Sequence, residues 1–250
     1  MSKYDTFQTG LGDSQGGAMG RGVVMGWLAL LAPALVVVVP AHAAPKANQV
    51  SVSLGASDGS TSARSTWIHA WNGNLSKDGF LSRFDAAFTG LSLDSSDLGI
   101  ARGDLLVGYQ WHTDALRLRL MGGASIVNRE FSNPGPTAIA GTFAGFKVSG
   151  QISTNSASKL LLSASGAYST VLRQYSTSFQ AGWKFAGFNA GIEGGFGGSD
   201  TYKGEKVGVF LSGIKIGLIS LGSSVGYSFG GDEEQSKNSP YADLSASLQF

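Results

Sequence analysis

Hydrophobic and polar residues alternate with a period of two along most of the chain after residue 48. Successive side chains of a β-strand point to opposite faces, so this period indicates strands with one apolar and one polar face. We predict twelve strands, over residues 49–57, 65–73, 79–91, 101–112, 115–127, 139–152, 159–170, 175–185, 188–196, 206–216, 219–229 and 241–250. No stretch of this region has a convincing helical period.

The last ten residues show the clearest alternation, and the chain ends on an aromatic residue. Apolar side chains take every second position there, namely Ala242, Leu244, Ala246, Leu248 and Phe250. This segment is similar to the closing strand of bacterial outer-membrane barrels, in which a C-terminal Phe marks the chain for the barrel-insertion machinery. An edge strand of a soluble β-sandwich would alternate in the same way, so the segment alone leaves both structures open.

Strands of about ten residues with alternating faces are typical of transmembrane barrels. Aromatic residues cluster near the predicted strand ends, as in the interfacial belts of such barrels. We call this set the aromatic girdle; its members are Trp67, Trp71, Tyr109, Trp111, Tyr168, Tyr175 and Trp183. The predicted fold class is therefore all-β, a transmembrane antiparallel β-barrel of about 12 strands of the outer-membrane type.

The connections between the predicted strands alternate in length. Those expected to face outward are mostly long and polar (58–64, 92–100, 129–138, 171–174, 197–205 and 230–239). Those expected to face the periplasm are short (74–78, 113–114, 153–158, around Gly187, and 217–218). An even strand count places both termini on the periplasmic side, and the length pattern agrees with that orientation.

The N-terminal region carries a targeting pattern. Arg21 precedes an apolar run, Val23–Val39, which is followed by Ala41-His42-Ala43. We predict a secretory signal peptide that is cleaved after Ala43. Residues 1–43 then form an N-terminal extension and signal peptide, residues 44–250 form a single barrel domain, and the expected location is the bacterial outer membrane. A membrane-spanning helix is the alternative, since 17 apolar residues are just long enough, and Met19 is an alternative start.

Composition narrows the chemistry. The formal net charge is +1 and cysteine is absent, so we expect no nucleic-acid partner, no disulfide and no thiolate metal site. Only His69 and His112 remain beyond the predicted signal peptide. We therefore expect no enzyme, no catalytic residue, no metal and no cofactor. The loop carboxylates Asp94, Asp97, Asp200, Asp232, Glu233 and Glu234 match no calcium-binding loop and are interpreted as solvated loop residues.

Several charged residues fall on the predicted inner face. They are Arg83, Asp85, Asp104, Arg117, Arg119, Lys184 and Glu193, and we name them the predicted lumen network. Charges inside a barrel must pair with each other or contact water. The network is either a selectivity or glucan-contact patch or a ladder of ion pairs that fills a narrow barrel. His69 lies between Trp67 and Trp71, and is either a girdle residue or the base of a lipid hydrolase.

Four segments carry a family resemblance: 77–83 (KDGFLSR), 103–111 (GDLLVGYQW), 159–168 (KLLLSASGAY) and the ending 241–250. Together they resemble the BcsS-type cellulose-biosynthesis proteins of Gram-negative bacteria. The resemblance implies an outer-membrane barrel associated with bacterial cellulose production, and it supplies no catalytic residues.

We therefore expect an outer-membrane barrel that supports the biosynthesis or secretion of cellulose, as a small channel or a structural accessory. Its expected partners are outer-membrane lipid, lipopolysaccharide, the barrel-insertion machinery and cellulose or components of its secretion. Three alternatives stay open from the sequence. They are a general or solute-specific porin, a barrel lipid hydrolase that uses His69, and a secreted soluble sandwich that acts as an adhesin.

Overall fold

A computed structural model describes residues 46–92, 96–133, 139–155, 158–199, 203–230 and 238–250. Antiparallel strands make up nearly all of these residues. Their bounds are β1 (Asn48–Ser57), β2 (Ser60–Ala70), β3 (Gly79–Ser92), β4 (Asp97–His112), β5 (Leu116–Phe131), β6 (Gly141–Thr154), β7 (Leu160–Ser169), β8 (Gln174–Lys184), β9 (Asn189–Gly198), β10 (Lys203–Ile216), β11 (Ile219–Gly230) and β12 (Ser239–Gln249). A short 3₁₀ turn, Val171–Arg173, joins β7 to β8.

The sheet is closed. Each strand pairs with its neighbour in sequence, and β1 pairs with β12. At this seam the backbone N–H of Asn48 donates to the carbonyl of Phe250 at 2.8 Å, and the N–H of Phe250 donates back at 3.0 Å. Closure gives every strand two partners and leaves no free edge. The prediction of a 12-stranded antiparallel barrel of the outer-membrane type is confirmed.

The two faces of the barrel differ in polarity. Large apolar side chains cover its outer surface, and several of them are more than half exposed, including Leu105 at 60% and Leu244 at 62%. A soluble sandwich would bury such residues between two sheets, so the sandwich alternative is wrong. Within the described ranges, no helix is long and apolar enough to cross a membrane.

The connection between β1 and β2 is shorter than expected. We predicted an outward loop over 58–64, but β2 already begins at Ser60 and a two-residue turn, Asp58-Gly59, joins the strands. Gly59 has a φ of +71°, a conformation that glycine adopts without a Cβ clash and that tight hairpins require. The first residues of β2 are small and polar, so they lack the apolar alternation by which strands are recognised.

A small apolar cluster lies inside the barrel, near the end where β1 begins and β12 ends. We call this the terminal end and the other the opposite end. The cluster consists of Ile68, Ala70, Leu75, Leu81, Leu106 and Met121. Leu75 comes from the β2–β3 connection, which folds inward and leaves this side chain only 4% exposed. The predicted tight periplasmic turn over 74–78 is thus part of a longer connection, residues 71–78, which places Leu75 inside the barrel.

Side-chain and backbone hydrogen bonds hold the β2–β3 connection in place. The side-chain oxygen of Asn72 accepts from the N–H of Asn74 at 3.0 Å, and that of Asn74 accepts from Ser76 at 2.8 Å. These Asx turns fold the backbone locally. The N–H of Leu75 donates to the carbonyl of Lys46 at 2.9 Å, which ties the connection to the segment before β1. The predicted signal peptide and its cleavage after Ala43 lie outside the described residues.

Candidate functional site in the barrel lumen

The barrel encloses a cavity of about 1470 Å³ that is lined by residues from all twelve strands. Inward positions of β6, β7 and β8 carry many small polar residues, among them Ser149, Ser165 and Ser176. Small side chains leave the space open, and their hydroxyl groups keep it hydrophilic. The lining extends from Gln49 near the terminal end to Asp58 and Gly59 at the opposite end, and Leu75 of the β2–β3 connection is buried near the terminal end.

The first polar cluster of the lumen surrounds Asp85 on β3. Arg83 approaches its carboxylate with two nitrogens, Nε at 2.8 Å and Nη2 at 2.9 Å. The hydroxyl of Thr66 on β2 donates to the same carboxylate at 2.5 Å. Asp85 is only 3% exposed, and charge-assisted hydrogen bonds of this kind offset the cost of burying a carboxylate.

A second cluster surrounds Asp104 on β4. Lys147 Nζ lies 2.5 Å from one carboxylate oxygen, and the hydroxyl of Ser125 donates to the other at 2.6 Å. Lys147 and Ser125 were not in the predicted lumen network. The period of two could have placed both, because Ser125 shares the phase of Arg117 and Arg119 on β5, and Lys147 shares the phase of Gln151 on β6.

A third cluster joins the β5 arginines to the inward connection. Arg119 Nε donates to Gln110 Oε1 at 3.1 Å. Gln110, fully buried, donates through Nε2 to the carbonyls of Leu75 at 3.1 Å and Lys77 at 2.6 Å. Arg117 donates to the Ser153 hydroxyl at 3.4 Å. Gln110 therefore connects the cationic wall to the segment that fills the terminal end.

The remaining two members of the predicted network lie elsewhere. Glu193 on β9 accepts from the Tyr241 hydroxyl at 2.9 Å and from Gln180 at 3.0 Å, and Lys206 is 3.8 Å away. Lys184, at the end of β8, donates to the carbonyl of Asn155 at 2.5 Å. The members of the predicted lumen network thus form separate clusters, and their cross-strand partners depend on strand tilt.

The cavity surface is strongly basic. Among the described residues, its lining contains two acidic side chains, Asp58 and Asp243, and eight cationic ones. The cationic side chains are Arg64, Arg83, Arg102, Arg117, Arg119, Arg129, Lys147 and Lys206. Five of these eight lie on the neighbouring strands β3, β4 and β5, so the positive charge is concentrated on one wall. With the buried carboxylates Asp85, Asp104 and Glu193 included, the described inward cations outnumber the inward carboxylates by eight to five.

The residues of the aromatic girdle all lie on the outer surface. Trp67, Trp71, Tyr109, Trp111 and Trp183 are near the terminal end, whereas Tyr168 and Tyr175 face each other across β7 and β8 near the opposite end. Ring contacts connect several of them, including Tyr109 and Trp111 with centroids 4.8 Å apart. The apolar positions of β12 (Ala242, Leu244, Ala246 and Leu248) share a face with the outward side chains of β1.

His69 belongs to the outer surface and not to the lumen. Its Nδ1 lies 3.0 Å from the side-chain oxygen of Asn48, and its ring is 6.2 Å from that of Trp67. Among the described residues, no group of three potential metal-ligating side chains comes together. Of the loop carboxylates, Asp94, Asp200, Asp232, Glu233 and Glu234 lie outside those residues.

Comparison with known proteins gives the family. Similar solved structures include the KdgM porin (11% identity, 81% of this chain and 99% of that chain, TM-score 0.47). A second is LpxR from Salmonella typhimurium (10% identity, 81% of this chain and 100% of that chain, TM-score 0.48). A third is the transport unit of the autotransporter AIDA-I from Escherichia coli (12% identity, 90% of this chain and 97% of that chain, TM-score 0.46). The sequence matches none of the curated proteins with which it was compared. The model of the family described as cellulose biosynthesis protein BcsS matches residues 56–250, and the chain therefore belongs to this family.

Proposed function

We propose that this protein lies in the bacterial outer membrane and supports the biosynthesis or secretion of cellulose as a small channel or structural accessory. The observation that carries the proposal is a closed barrel with an apolar outer surface and a charged, polar interior, in a chain of a cellulose-biosynthesis family. Lipid offers no hydrogen-bond partners to a backbone, so a spanning sheet must close on itself.

The inward β2–β3 connection favours the accessory role over a wide conduit for a polymer. Leu75 and Gln110 are almost fully buried where this segment meets the barrel wall. A polymer that crossed the lumen would have to displace residues 71–78 and break the two hydrogen bonds from Gln110. A small solute, or no solute at all, fits this arrangement better.

The test of the cellulose role is deletion of the gene under conditions that induce cellulose synthesis. We expect extracellular cellulose to fall, and the wild-type gene supplied in trans to restore it. Cellulose that stays unchanged in amount and location after deletion would contradict the proposed role.

The proposed location in the outer membrane has its own test. We propose that outer-membrane lipid and lipopolysaccharide surround the barrel, and that the barrel-insertion machinery recognises the last strand. Fractionation should place the protein with the outer membrane, and the unheated protein should migrate faster on a denaturing gel than the boiled protein. Recovery of the protein in the soluble fraction without detergent would contradict this location.

A solute-specific porin is the second candidate, because the cavity is large enough for small molecules and reaches the opposite end. Single-channel recordings in planar bilayers distinguish a porin from a closed structural accessory. Discrete, ohmic openings of the wild-type protein favour the porin. Absence of openings favours a barrel closed by the β2–β3 connection.

A further inference from the structure

The ion pairs inside the barrel leave part of its positive charge unpaired. The inward carboxylates Asp85, Asp104, Glu193 and Asp243 lie within 4 Å of Arg83, Lys147 or Lys206. In the part of the chain that the structure describes, Arg117 and Arg119 have no carboxylate within that distance. These two residues therefore form a cationic pair without an internal counter-ion.

Arg117 and Arg119 lie on the same face of β5. Residues i and i+2 of a strand are about 7 Å apart, so both guanidinium groups reach the same part of the lumen, and both line the cavity. Arg119 is also connected through Gln110 to the carbonyls of Leu75 and Lys77. Two cations thus lie beside the inward connection.

Arg119 provides a second and independent observation. This residue is only 6% exposed, and its Nη2 has no hydrogen-bond partner among the described residues, although its Nε is bonded to Gln110. A buried donor of a charged group that lacks an acceptor is energetically unfavourable. An acceptor that enters the cavity would remove this penalty.

The polar surroundings fit a bound anion. Across the ladder on β6, Gln151 pairs in register with Arg119, and Ser153 pairs with Arg117. Gln151 lines the cavity, and the Ser153 hydroxyl already meets Arg117 at 3.4 Å. A guanidinium presents a planar fork of N–H donors that matches two oxygens of a carboxylate, phosphate or sulfate.

We infer that Arg117 and Arg119 form a binding site for an oxyanion group inside the lumen. The cavity that contains the site extends to Asp58 and Gly59 at the opposite end, which gives a ligand a route to it. The expected ligands are molecules that carry a carboxylate, phosphate or sulfate group. Neutral glucose units do not belong to this class. This site goes beyond the cellulose role and does not depend on it.

The test is calorimetric titration of the folded full barrel in a detergent with uncharged polyoxyethylene headgroups. The probes are inorganic phosphate, glucuronate and glucose. We expect saturable binding of at least one of the two anions and none of glucose. Binding of phosphate alone assigns the site to phosphate groups, whereas tighter binding of glucuronate assigns it to carboxylates carried by sugars.

Arg119→Gln should weaken anion binding about tenfold or more, since it removes a charge-assisted hydrogen bond from a buried site. Arg129→Gln is the matched control, because it removes the same charge from the same inward face of β5 near the opposite end. The control should stay within about twofold of wild type, a change of no more than ~0.4 kcal/mol. Faster migration of the unheated variant on a gel verifies folding, and Arg117→Gln replaces Arg119→Gln if the latter does not fold.

Two results would overturn the inference. One is the absence of saturable anion binding to the folded wild-type barrel. The other is an equal loss of affinity in Arg129→Gln and in the Arg119 or Arg117 variant, which would indicate a diffuse effect of lumen charge and not a site.

Discussion

At the scale of single residues, glycines allow neighbouring strands to approach closely on the inner face. Gly182 on β8 and Gly191 on β9 lie directly opposite each other. A Cβ on Gly191 would lie 2.1 Å from the carbonyl oxygen of Ala181 and 2.5 Å from the Cα of Gly182. Both atoms belong to the backbone, so the strands themselves would have to move apart.

Gly191→Ala should therefore lower the free energy of unfolding by about 1–3 kcal/mol, the range for an overpacked site. Gly166→Ala is the control, because a Cβ there would meet its nearest neighbour at 3.9 Å, an ordinary contact. Urea unfolding of the two variants in lipid vesicles measures the difference. Equal midpoints would show that the close approach is not limiting.

The Asp104–Lys147 pair supports a second prediction. Asp104→Asn leaves the buried Lys147 without a counter-ion, so we expect a loss of about 3 kcal/mol. Adding Lys147→Met should restore much of that stability, because it removes the unpaired cation. Asp243→Asn is the control: its pair with Lys206 is half-exposed, at 37% and 41%, and should contribute less than about 1 kcal/mol. A double variant no more stable than Asp104→Asn would contradict this account.

Sequence periodicity predicted the inner face for some of the charged residues but not their partners. The phase of β3 and β4 placed Arg83, Asp85 and Asp104 inward, whereas Arg64 and Arg129 fell in predicted connections. The partner of Asp104 is Lys147, which lies two strands away on β6. Strand tilt and side-chain length decide such contacts, and neither can be read from alternation within a single strand.

At the scale of elements, the β2–β3 connection has more structure than its short sequence suggested. The predicted strand 65–73 included Asn72 and Gly73, and a turn was expected only over 74–78, whereas β2 ends at Ala70. That Leu75 turns inward follows from partners distant in sequence, including Leu106, Gln110 and Met121. Strand bounds were predicted best where apolar residues mark the outer face, and least well near the opposite end, where β2 begins with Ser60.

Leu75→Asp should release this connection from the lumen. Burial of a leucine side chain contributes about 1.5–3 kcal/mol, so the population of the displaced connection should rise at least tenfold. Larger or more frequent openings in planar bilayers would measure this change. Leu218→Asp, in an exposed turn at the same end, should leave conductance at the wild-type level. Equal conductance of Leu75→Asp and wild type would show that the connection does not limit the passage.

At the scale of the whole molecule, the outer surface and the lumen tolerate different residues. Leu105, midway along β4, faces outward and is 60% exposed, while Ser165 on β7 lines the cavity. The outer surface of a spanning barrel meets hydrocarbon, and the lumen meets water. For most strands, the alternation in the sequence correctly predicted which side chains face outward and which face the lumen. It could do so because the period of two arises within each strand and does not depend on its neighbours.

Leu105→Arg should destabilise the barrel in lipid vesicles by about 2–4 kcal/mol, the cost of a cation near the middle of the bilayer. Ser165→Arg should cost much less, since water in the lumen hydrates the new charge. Refolding of both variants into vesicles, followed by denaturant titration, compares them. A similar small cost for both would indicate that Leu105 does not face hydrocarbon.

The hydrogen-bonded seam between Asn48 and Phe250 has a consequence for engineering. The two residues are in direct backbone contact, so a short peptide could link residue 250 to residue 46 without stretching either strand. A new opening in the hairpin at Asp58-Gly59 would then yield a circular permutant that keeps all twelve ladders. Such a permutant moves Phe250 from the end of the polypeptide to its interior. It therefore tests whether barrel insertion requires the side-chain pattern of β12 or the position of β12 at the end of the chain.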